Sequence, residues 1–180
     1  ALEAGAHVLV ETPNVYSAEQ ARAIVELTRA RGLKYMLAED YIYMGWCRRL
    51  AEVVAAGTLG EIIGGMAEYT HDCRPVRPLS AATEEHAASW RFTDLPPLAY
   101  SSHTLGPLLQ LMDDRCVSVV GIAGGRQQVA GVEVFPLETA LLETEGGRTI
   151  SLTNGFMLSH PFIWCAALYG TEGSIRVINT

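Results

Sequence analysis

The residue best suited to acid–base chemistry in this sequence is His103. An imidazole exchanges a proton close to neutral pH with little help from its surroundings. Tyr100 and Ser102 lie within three positions of it, and their hydroxyl groups can orient the ring or bind the hydroxyl groups of a substrate. The alternative is a buried histidine that caps a helix or bonds a backbone carbonyl, and the sequence leaves this reading open.

Polar residues also follow two short apolar segments. Glu11-Thr12-Pro13 ends the run HVLV, and Asp40-Tyr41 follows KYMLAE. Ligands of open parallel sheets bind outside the carboxyl ends of the strands, so both positions suit the floor of a cleft. Two simpler explanations stay open. A strand must end somewhere and proline is a common terminator, while Asp40 can be the N-cap of a helix that begins near Tyr43.

Trp90 and Arg91 form a third candidate, a site for a sugar. An aromatic ring offers an apolar face on which a sugar can stack, and a guanidinium can bind the sugar oxygens. The same two residues can instead anchor the loop to the core and form a surface ion pair. Residues 72–99 around them show no strong periodicity, and a loop of this length in a compact domain is usually functional or disordered.

The elements that position these candidates begin with a strand–helix–strand unit. HVLVE is predicted as a buried strand, and Ser17 to Gln20 form a capping box that starts a helix. Gly32 ends this helix before a second strand at residues 34–39. Strand, helix and strand within about thirty residues predict a βαβ unit of a parallel sheet.

Beyond residue 42 the pattern changes to α+β. One helix is predicted to include Trp46 and to end at Gly57, and another is predicted within residues 101–114, where Pro107 favours a start near Gly106. Strands are predicted at residues 62–71, 117–122, 133–143, 149–154, 162–169 and 174–178. The hairpins between them predict a mainly antiparallel open sheet. The predicted fold is α/β: a partial Rossmann βαβ remnant at residues 1–42, followed by an α+β domain at residues 43–180.

Composition excludes several classes of function. The net charge is -7 and the Lys and Arg residues do not cluster, which argues against nucleic acid and anionic membranes as partners. The four cysteines are widely spaced, so neither a metal site nor a disulfide framework is predicted. No apolar run reaches transmembrane length and no signal peptide opens the chain, which predicts a cytoplasmic protein. The opening ALEAGA, without a methionine, suggests an internal piece of a longer protein.

Several stretches, taken in order, resemble the Gfo/Idh/MocA family of NAD(P)-dependent oxidoreductases. They are AL-x-AG-x-HVLVE-x-P, AEDY, AAGTLGEIIGGMAEY, SWRF, YSSHTLGPLLQL and LYGTEGSIRV, and they span nearly the whole chain. The resemblance implies a two-domain enzyme that acts on sugars, inositols and related polyols. A Rossmann domain would bind the nicotinamide cofactor, and one face of an open sheet would cover the substrate. The other face often makes homo-oligomer contacts in this family.

The resemblance also assigns roles to individual residues. His103 falls where the family places its active-site histidine, so we predict that it is the acid–base group and that Thr12 orients a substrate hydroxyl. Glu11, Pro13 and Asp40 are predicted on the cofactor side of the cleft, with Pro13 following a cis peptide bond as it often does in the family. The residues predicted to bind substrate are Tyr41, Trp90, Arg91, Tyr100 and Ser102.

Two departures from the family pattern bear on activity. The family usually reads Glu-Lys-Pro where this sequence has Glu11-Thr12-Pro13, and threonine lacks the positive charge and the reach of the lysine. The sequence also lacks a G-x-G-x-x-G turn, so a pyrophosphate would have no helix N-terminus to rest on. We therefore expect the full-length parent to bind NAD or NADP, and this chain alone to bind dinucleotide weakly or not at all.

Three functions follow from this reading. The first is oxidation or reduction of a sugar or polyol. The second is NAD-dependent glycoside cleavage, because the H-x-x-G-P pattern at His103 to Pro107 also occurs in that branch of the family. The third is a non-catalytic binding or assembly module, which would fit both departures.

Overall fold

The computed structural model describes residues 1–76, 95–129 and 132–179. The chain forms two compact units, Ala1–Asp40 and Tyr41–Thr180. Among the helices in the described residues, none has both the length and the apolar composition required to span a membrane.

The first unit is a short βαβ motif. Strands β1 (Val8–Val10) and β2 (Tyr35–Leu37) pair in parallel, and helix α1 (Ala18–Arg31) connects them. A 3₁₀ turn at Leu2–Ala4 precedes β1, and Gly5 ends it with a φ of 82°. The predicted strand–helix–strand order is confirmed, although each strand is shorter than the apolar run that predicted it.

The N-terminus of α1 satisfies its own amides. Ser17 Oγ accepts a hydrogen bond from the Gln20 amide at 3.1 Å, and Gln20 Oε1 accepts one from the Tyr16 amide at 2.8 Å. This reciprocal pair is the predicted capping box. Gly32 ends the helix with a φ of 61°, in the left-handed region where glycine is at ease.

The second unit is built on a six-stranded sheet with the order β10-β9-β3-β8-β7-β4. Its strands are β3 (Ile62–Thr70), β4 (Cys116–Ala123), β7 (Leu137–Thr144), β8 (Thr149–Gly155), β9 (Ile163–Gly170) and β10 (Ser174–Asn179). Four of its five pairings are antiparallel and only β3–β8 is parallel, so the predicted mainly antiparallel sheet is confirmed. A separate small hairpin joins β5 (Gln127–Val129) to β6 (Val132–Val134).

Helix α3 (Ser102–Met112) covers one face of this sheet, which we call the inner face, and helix α2 (Gly45–Ala55) contributes Cys47 and Leu50 to the same core. The approach of α3 is close at Gly65 on β3. A Cβ atom built on Gly65 would lie 2.8 Å from Met112 Cε and 3.3 Å from Leu108 Cδ2. The absence of a side chain at Gly65 therefore lets α3 pack directly on the centre of the sheet.

The strand predicted at residues 133–143 is wrong as a single element. The structure divides it into β6 and β7, with Phe135 and Pro136 between them. Proline has no backbone N–H, so it cannot donate to a neighbouring strand and interrupts the ladder. Short β5 at Gln127–Val129 was not predicted at all.

Two predicted helix starts are also wrong. Helix α3 begins at Ser102 rather than near Gly106, which leaves Pro107 inside the helix. Helix α2 begins at Gly45 with Met44 as its N-cap, after a 3₁₀ turn at Tyr41–Tyr43. Asp40 is therefore not the N-cap of α2.

Candidate active site

The centre of the candidate site is a buried tyrosine–histidine pair. Tyr100 ends a 3₁₀ turn at Pro97–Tyr100, and His103 lies in the first turn of α3. Tyr100 Oη lies 2.8 Å from His103 Nε2, and the two residues are 6% and 5% exposed. A phenol and an imidazole at this distance share a proton, so the pair can accept or release one as a unit.

Aromatic rings enclose the imidazole. The Tyr41 ring stacks on it with centroids 4.2 Å apart and 20° between the planes, and the Tyr69 ring meets it edge to face at 5.9 Å. The two rings pack against a face and an edge of the imidazole and so hold it in one orientation.

Pro107 leaves the backbone carbonyl of His103 available to a donor outside the helix. In a regular helix the N–H of residue 107 would bond the carbonyl of residue 103, but proline has no N–H to give. The freed carbonyl of His103 instead accepts the indole N–H of Trp164 at 2.9 Å. Trp164 lies fully buried on β9, so the bond ties the histidine to the sheet.

Four buried residues from adjacent strands form a row across the inner face of the sheet. Trp164 on β9 pairs with Tyr69 on β3, Tyr69 pairs with Asn154 on β8, and Asn154 pairs with Glu138 on β7. Directly paired residues point to the same face, so the four side chains lie side by side beneath the candidate site. Burial raises the pKa of the Glu138 carboxyl, and a hydrogen bond from the Leu98 amide lowers it in part.

A second histidine lies next to this pair. His71 follows β3, and its ring centroid is 5.2 Å from that of Tyr69, whose ring lies 5.9 Å from Tyr100 and from His103. Cys73 Sγ is 3.3 Å from Nδ1 and 3.4 Å from Nε2 of His71. A sulfur almost equidistant from both nitrogens rests against the ring rather than in line with one N–H, so this thiol is not aligned for proton exchange.

Sequence reasoning named neither Tyr69 nor His71 as a candidate site residue. A signal was available. Tyr69 and His71 are two positions apart at the end of a predicted strand, and the alternation of side chains along a strand puts such residues on one face. The Tyr-x-x-His spacing of Tyr100 and His103 suits a turn that enters a helix. Together the two spacings would have indicated two tyrosine–histidine pairs.

In the first unit, the predicted residues lie at one edge of the two-stranded sheet. Glu11, Thr12 and Pro13 follow β1, and Asp40 comes three residues after β2. Because the strands are parallel, these residues emerge at the same end. The Thr12–Pro13 peptide is cis, as the resemblance implied. Thr12 is buried, whereas Glu11 and Asp40 are exposed. Their roles stay predictions.

The remaining predicted residues divide in two. Tyr41, Tyr100 and Ser102 lie on or beside the His103 cluster. Trp90 and Arg91 lie outside the described residues.

The N-terminus of α1, the α-helix of the first unit, is poorly suited to the pyrophosphate of a dinucleotide. The Gln20 amide at this end already donates to Ser17 Oγ. A phosphate that used this amide would have to displace the bond, which a glycine-rich turn does not require.

Comparison with known proteins identifies a family and several curated relatives. The GFO/IDH/MocA C-terminal domain matches residues 47–176. Proteins called "Glycosyl hydrolase family 109 protein" from Shewanella putrefaciens and Solibacter usitatus are both 27% identical to this chain, over 96% and 98% of it. The chain spans less than half the length of these curated relatives, 42% and 44%.

Solved structures share the fold over the whole chain. An oxidoreductase domain protein from Kribbella flavida has a TM-score of 0.74 at 21% identity, covering 99% of this chain and 50% of that one. A scyllo-inositol dehydrogenase from Lactobacillus casei with bound NAD(H) and scyllo-inositol has a TM-score of 0.73 at 19% identity, covering 98% and 52%. At these identities the likeness shows the fold alone.

Proposed function

Because the chain belongs to the GFO/IDH/MocA family, we propose that it is the substrate-side part of a nicotinamide-dependent enzyme that acts on a sugar or polyol. The observation that carries this proposal is the buried Tyr100–His103 pair, whose Oη–Nε2 distance is 2.8 Å. It supplies the proton transfer that alcohol oxidation needs. The parent protein would hold NAD or NADP with residues other than the α1 terminus.

The chemistry assigned to these residues is movement of a proton. When a secondary alcohol becomes a ketone, its carbon loses a hydride and its oxygen loses a proton. A bound nicotinamide supplies the hydride acceptor. The hydroxyl proton passes to the Tyr100–His103 pair, whose imidazole is held in place by the stacked Tyr41 ring. In the reverse reaction the pair returns this proton.

Thr12 has a narrower role in this proposal. A threonine hydroxyl does not ionise near neutral pH, so it can orient a substrate hydroxyl but cannot take its proton. The lysine usual in the family would do both. The burden of proton transfer therefore falls on His103, with Tyr100 as its partner.

The test uses the full-length parent protein, with reduced-cofactor absorbance followed over a panel of inositols and sugars. His103→Gln is expected to lower kcat by about 10²–10⁴-fold, the range for loss of a general acid–base group. Tyr100→Phe removes the shared hydroxyl and is expected to lower kcat less. Tyr43→Phe, a tyrosine with 62% exposure in the same unit, is the matched control. Turnover unchanged by His103→Gln would refute the proposal.

A second candidate function is glycoside cleavage. Two observations favour it: the relatives that match this chain are called glycosyl hydrolases, and a second tyrosine–histidine pair, Tyr69 and His71, adjoins the first. Transient oxidation of a ring hydroxyl acidifies the neighbouring C–H. One pair can then remove that proton while the other protonates the departing glycosidic oxygen, which leaves an unsaturated ketone. Water adds to this ketone at the carbon that lost the glycosidic oxygen, and return of the hydride and a proton to the carbonyl leaves the cofactor unchanged overall.

One assay separates the two functions. With an aryl glycoside as substrate, cleavage releases the phenol without accumulation of reduced cofactor, whereas a dehydrogenase accumulates reduced cofactor from a free polyol. Under the second function His71→Gln is expected to abolish phenol release. A His71→Gln variant with unchanged release would eliminate the role of the second pair.

We also propose that a second copy of the protein covers the outer face of the sheet. On this face Val120 and Leu141 are directly paired, and Ile122 lies two residues further along β4. These three side chains are 62%, 51% and 76% exposed. Adjacent apolar side chains on an open sheet mark an interaction surface, and the same apolar patch on a second copy fits a two-fold contact.

A further inference from the structure

We propose that Asn154 is a positioning residue that keeps Tyr100 and His103 within hydrogen-bonding distance of each other. Its role in catalysis rests on the function proposed above, but its effect on the geometry of the pair does not. Asn154 forms its hydrogen bonds with Pro97 and Thr104, which flank the pair along the chain. Asn154 acts through the two ends of the segment that carries them, residues 97–104.

Asn154 is fully buried and bonds both ends of this segment. Its Nδ2 donates to the Pro97 carbonyl at 3.1 Å, at the start of the 3₁₀ turn that carries Tyr100. Its Oδ1 lies 3.4 Å from Thr104 Oγ1, on the residue after His103. One side chain on the sheet therefore fixes the separation between the start of the turn and the start of α3.

The orientation of this amide is determined by its neighbours. The Pro97 carbonyl can only accept, so Nδ2 must face it, and Oδ1 then faces Thr104. The Thr104 hydroxyl also lies 3.1 Å from the Ser101 carbonyl, so its proton is shared between two acceptors. The Pro97 bond is thus the stronger of the two made by Asn154, and the Thr104 bond is the weaker.

Glu138 and Trp164, which lie in the same row as Asn154, also form hydrogen bonds with this segment, but each bonds only one end of it. Glu138 Oε2 accepts from the Leu98 amide at 3.0 Å, and Trp164 Nε1 donates to the His103 carbonyl at 2.9 Å. Among these three polar residues, Asn154 is the one that bonds both the turn and the helix. Its loss should let the turn and α3 move apart while each stays attached to the sheet.

A purely structural role would predict a different result. Any truncation of a buried residue on β8 lowers stability, but only loss of Asn154 should disturb the Tyr100–His103 bond. Leu152 provides the matched comparison, because it is buried on the same strand and, two residues away, on the same face. Leu152→Ala removes more apolar volume than Asn154→Ala removes in total, and it breaks no side-chain hydrogen bond.

The experiment is side-chain NMR of the 180-residue chain, which needs no cofactor and no turnover. Spectra of the histidine ring nitrogens report which nitrogen of His103 carries the proton, and the shared Tyr100–His103 proton gives a downfield signal protected from exchange by burial. Asn154→Ala is expected to erase that signal and to give His103 a mixture of tautomers. Leu152→Ala should retain both features while lowering the melting temperature at least as much.

A second pair of variants covers the case in which Asn154→Ala does not fold. Thr104→Val keeps the shape of the fully buried side chain but removes its hydroxyl, and Thr104→Ser restores the hydroxyl. The signal should weaken in the first and recover in the second. Wild-type spectra for Asn154→Ala, or for Thr104→Val if Asn154→Ala is unfolded, would overturn the proposal, as would equal disturbance by Leu152→Ala. Altered spectra with unchanged turnover of the full-length parent protein would count against the proposed function alone.

Discussion

Pro107 and Trp164 should be energetically coupled although they lie on different elements. The proline leaves the His103 carbonyl without its helical donor, and the Trp164 indole takes that place at 2.9 Å. Trp164→Phe removes the indole N–H and leaves the buried His103 carbonyl without a hydrogen-bond donor. In a Pro107→Ala background, the new alanine N–H can reach the same carbonyl and replace the lost donor.

The expected magnitude follows from two contributions. Leaving a buried carbonyl without a donor costs about 1–3 kcal/mol. Replacing indole by the smaller benzyl ring, in a site where Trp164 is fully buried, adds roughly 1–2 kcal/mol of lost burial. Trp164→Phe alone should therefore cost about 2–5 kcal/mol. With Pro107→Ala the first contribution is largely relieved, so the coupling energy should be about 1–2 kcal/mol.

Urea unfolding of the four proteins in this double-mutant cycle measures the coupling directly. The effect of proline on the unfolded chain is common to both Pro107→Ala proteins and cancels. Trp46→Phe is the matched control, because its ring centroid lies 4.2 Å from that of Trp164 while its indole N–H bonds Met44 Sδ. Additivity within about 0.3–0.5 kcal/mol for Trp164 and Pro107 would refute the exchange of donors.

Three further variants test other features. Asp113 holds the left-handed conformation that ends α3, with a φ of 48°, so Asp113→Gly should raise the free energy of unfolding by about 0.5–1 kcal/mol in urea titrations; a decrease would contradict this. Hydrogen bonds from Thr144, the Arg115 amide and Arg148 hold the pKa of Asp114 well below its usual range. The stabilisation from this carboxylate is thus complete above about pH 4, the ordinary Asp pKa, and is lost as the pH falls below it; Asp114→Asn should flatten that part of the curve of urea midpoint against pH, and an unchanged curve would rule the carboxylate out. Leu141→Glu should reduce self-association in sedimentation measurements, whereas a monomeric wild type would exclude the second copy.

The sequence predicted the elements more reliably than their ends. Capping residues such as Ser17 and Gln20, and the left-handed Gly32, act through local bonds, and local bonds are legible from sequence. The start of α3 was predicted wrongly because the rule that places proline in the first turn assumes that no other donor replaces the missing helical hydrogen bond. Here Trp164, about sixty positions away along the chain, supplies the missing donor. Such long-range compensation leaves no local pattern.

The candidate site shows the same division. His103 was predicted chiefly from the family resemblance, and Tyr100 because a hydroxyl neighbour of a titratable group is visible over four positions. Asn154 and Glu138 were not found, because their importance lies in strand register. A one-residue shift of β7 would have turned Glu138 to the other face, and a one-residue shift of β8 would have turned Asn154. The register is set by the whole sheet, which a single sequence does not specify in advance.

The one parallel pairing in the sheet has a consequence for biosynthesis. Strand β3 lies between β8 and β9. Gly64 therefore has no strand partner until Thr149 has been synthesised, and Ile62 has none until Gly170 has been synthesised. A nascent chain therefore carries an unpaired central strand while most of the second unit is still being made, and such edges invite aggregation. Tyr69 cannot take its place beside His103 until translation has passed β9. The proposed proton-transfer residues would then come together late in synthesis and in one step. A chain that terminates before β8 would contain every one of these residues but would not assemble them into a site.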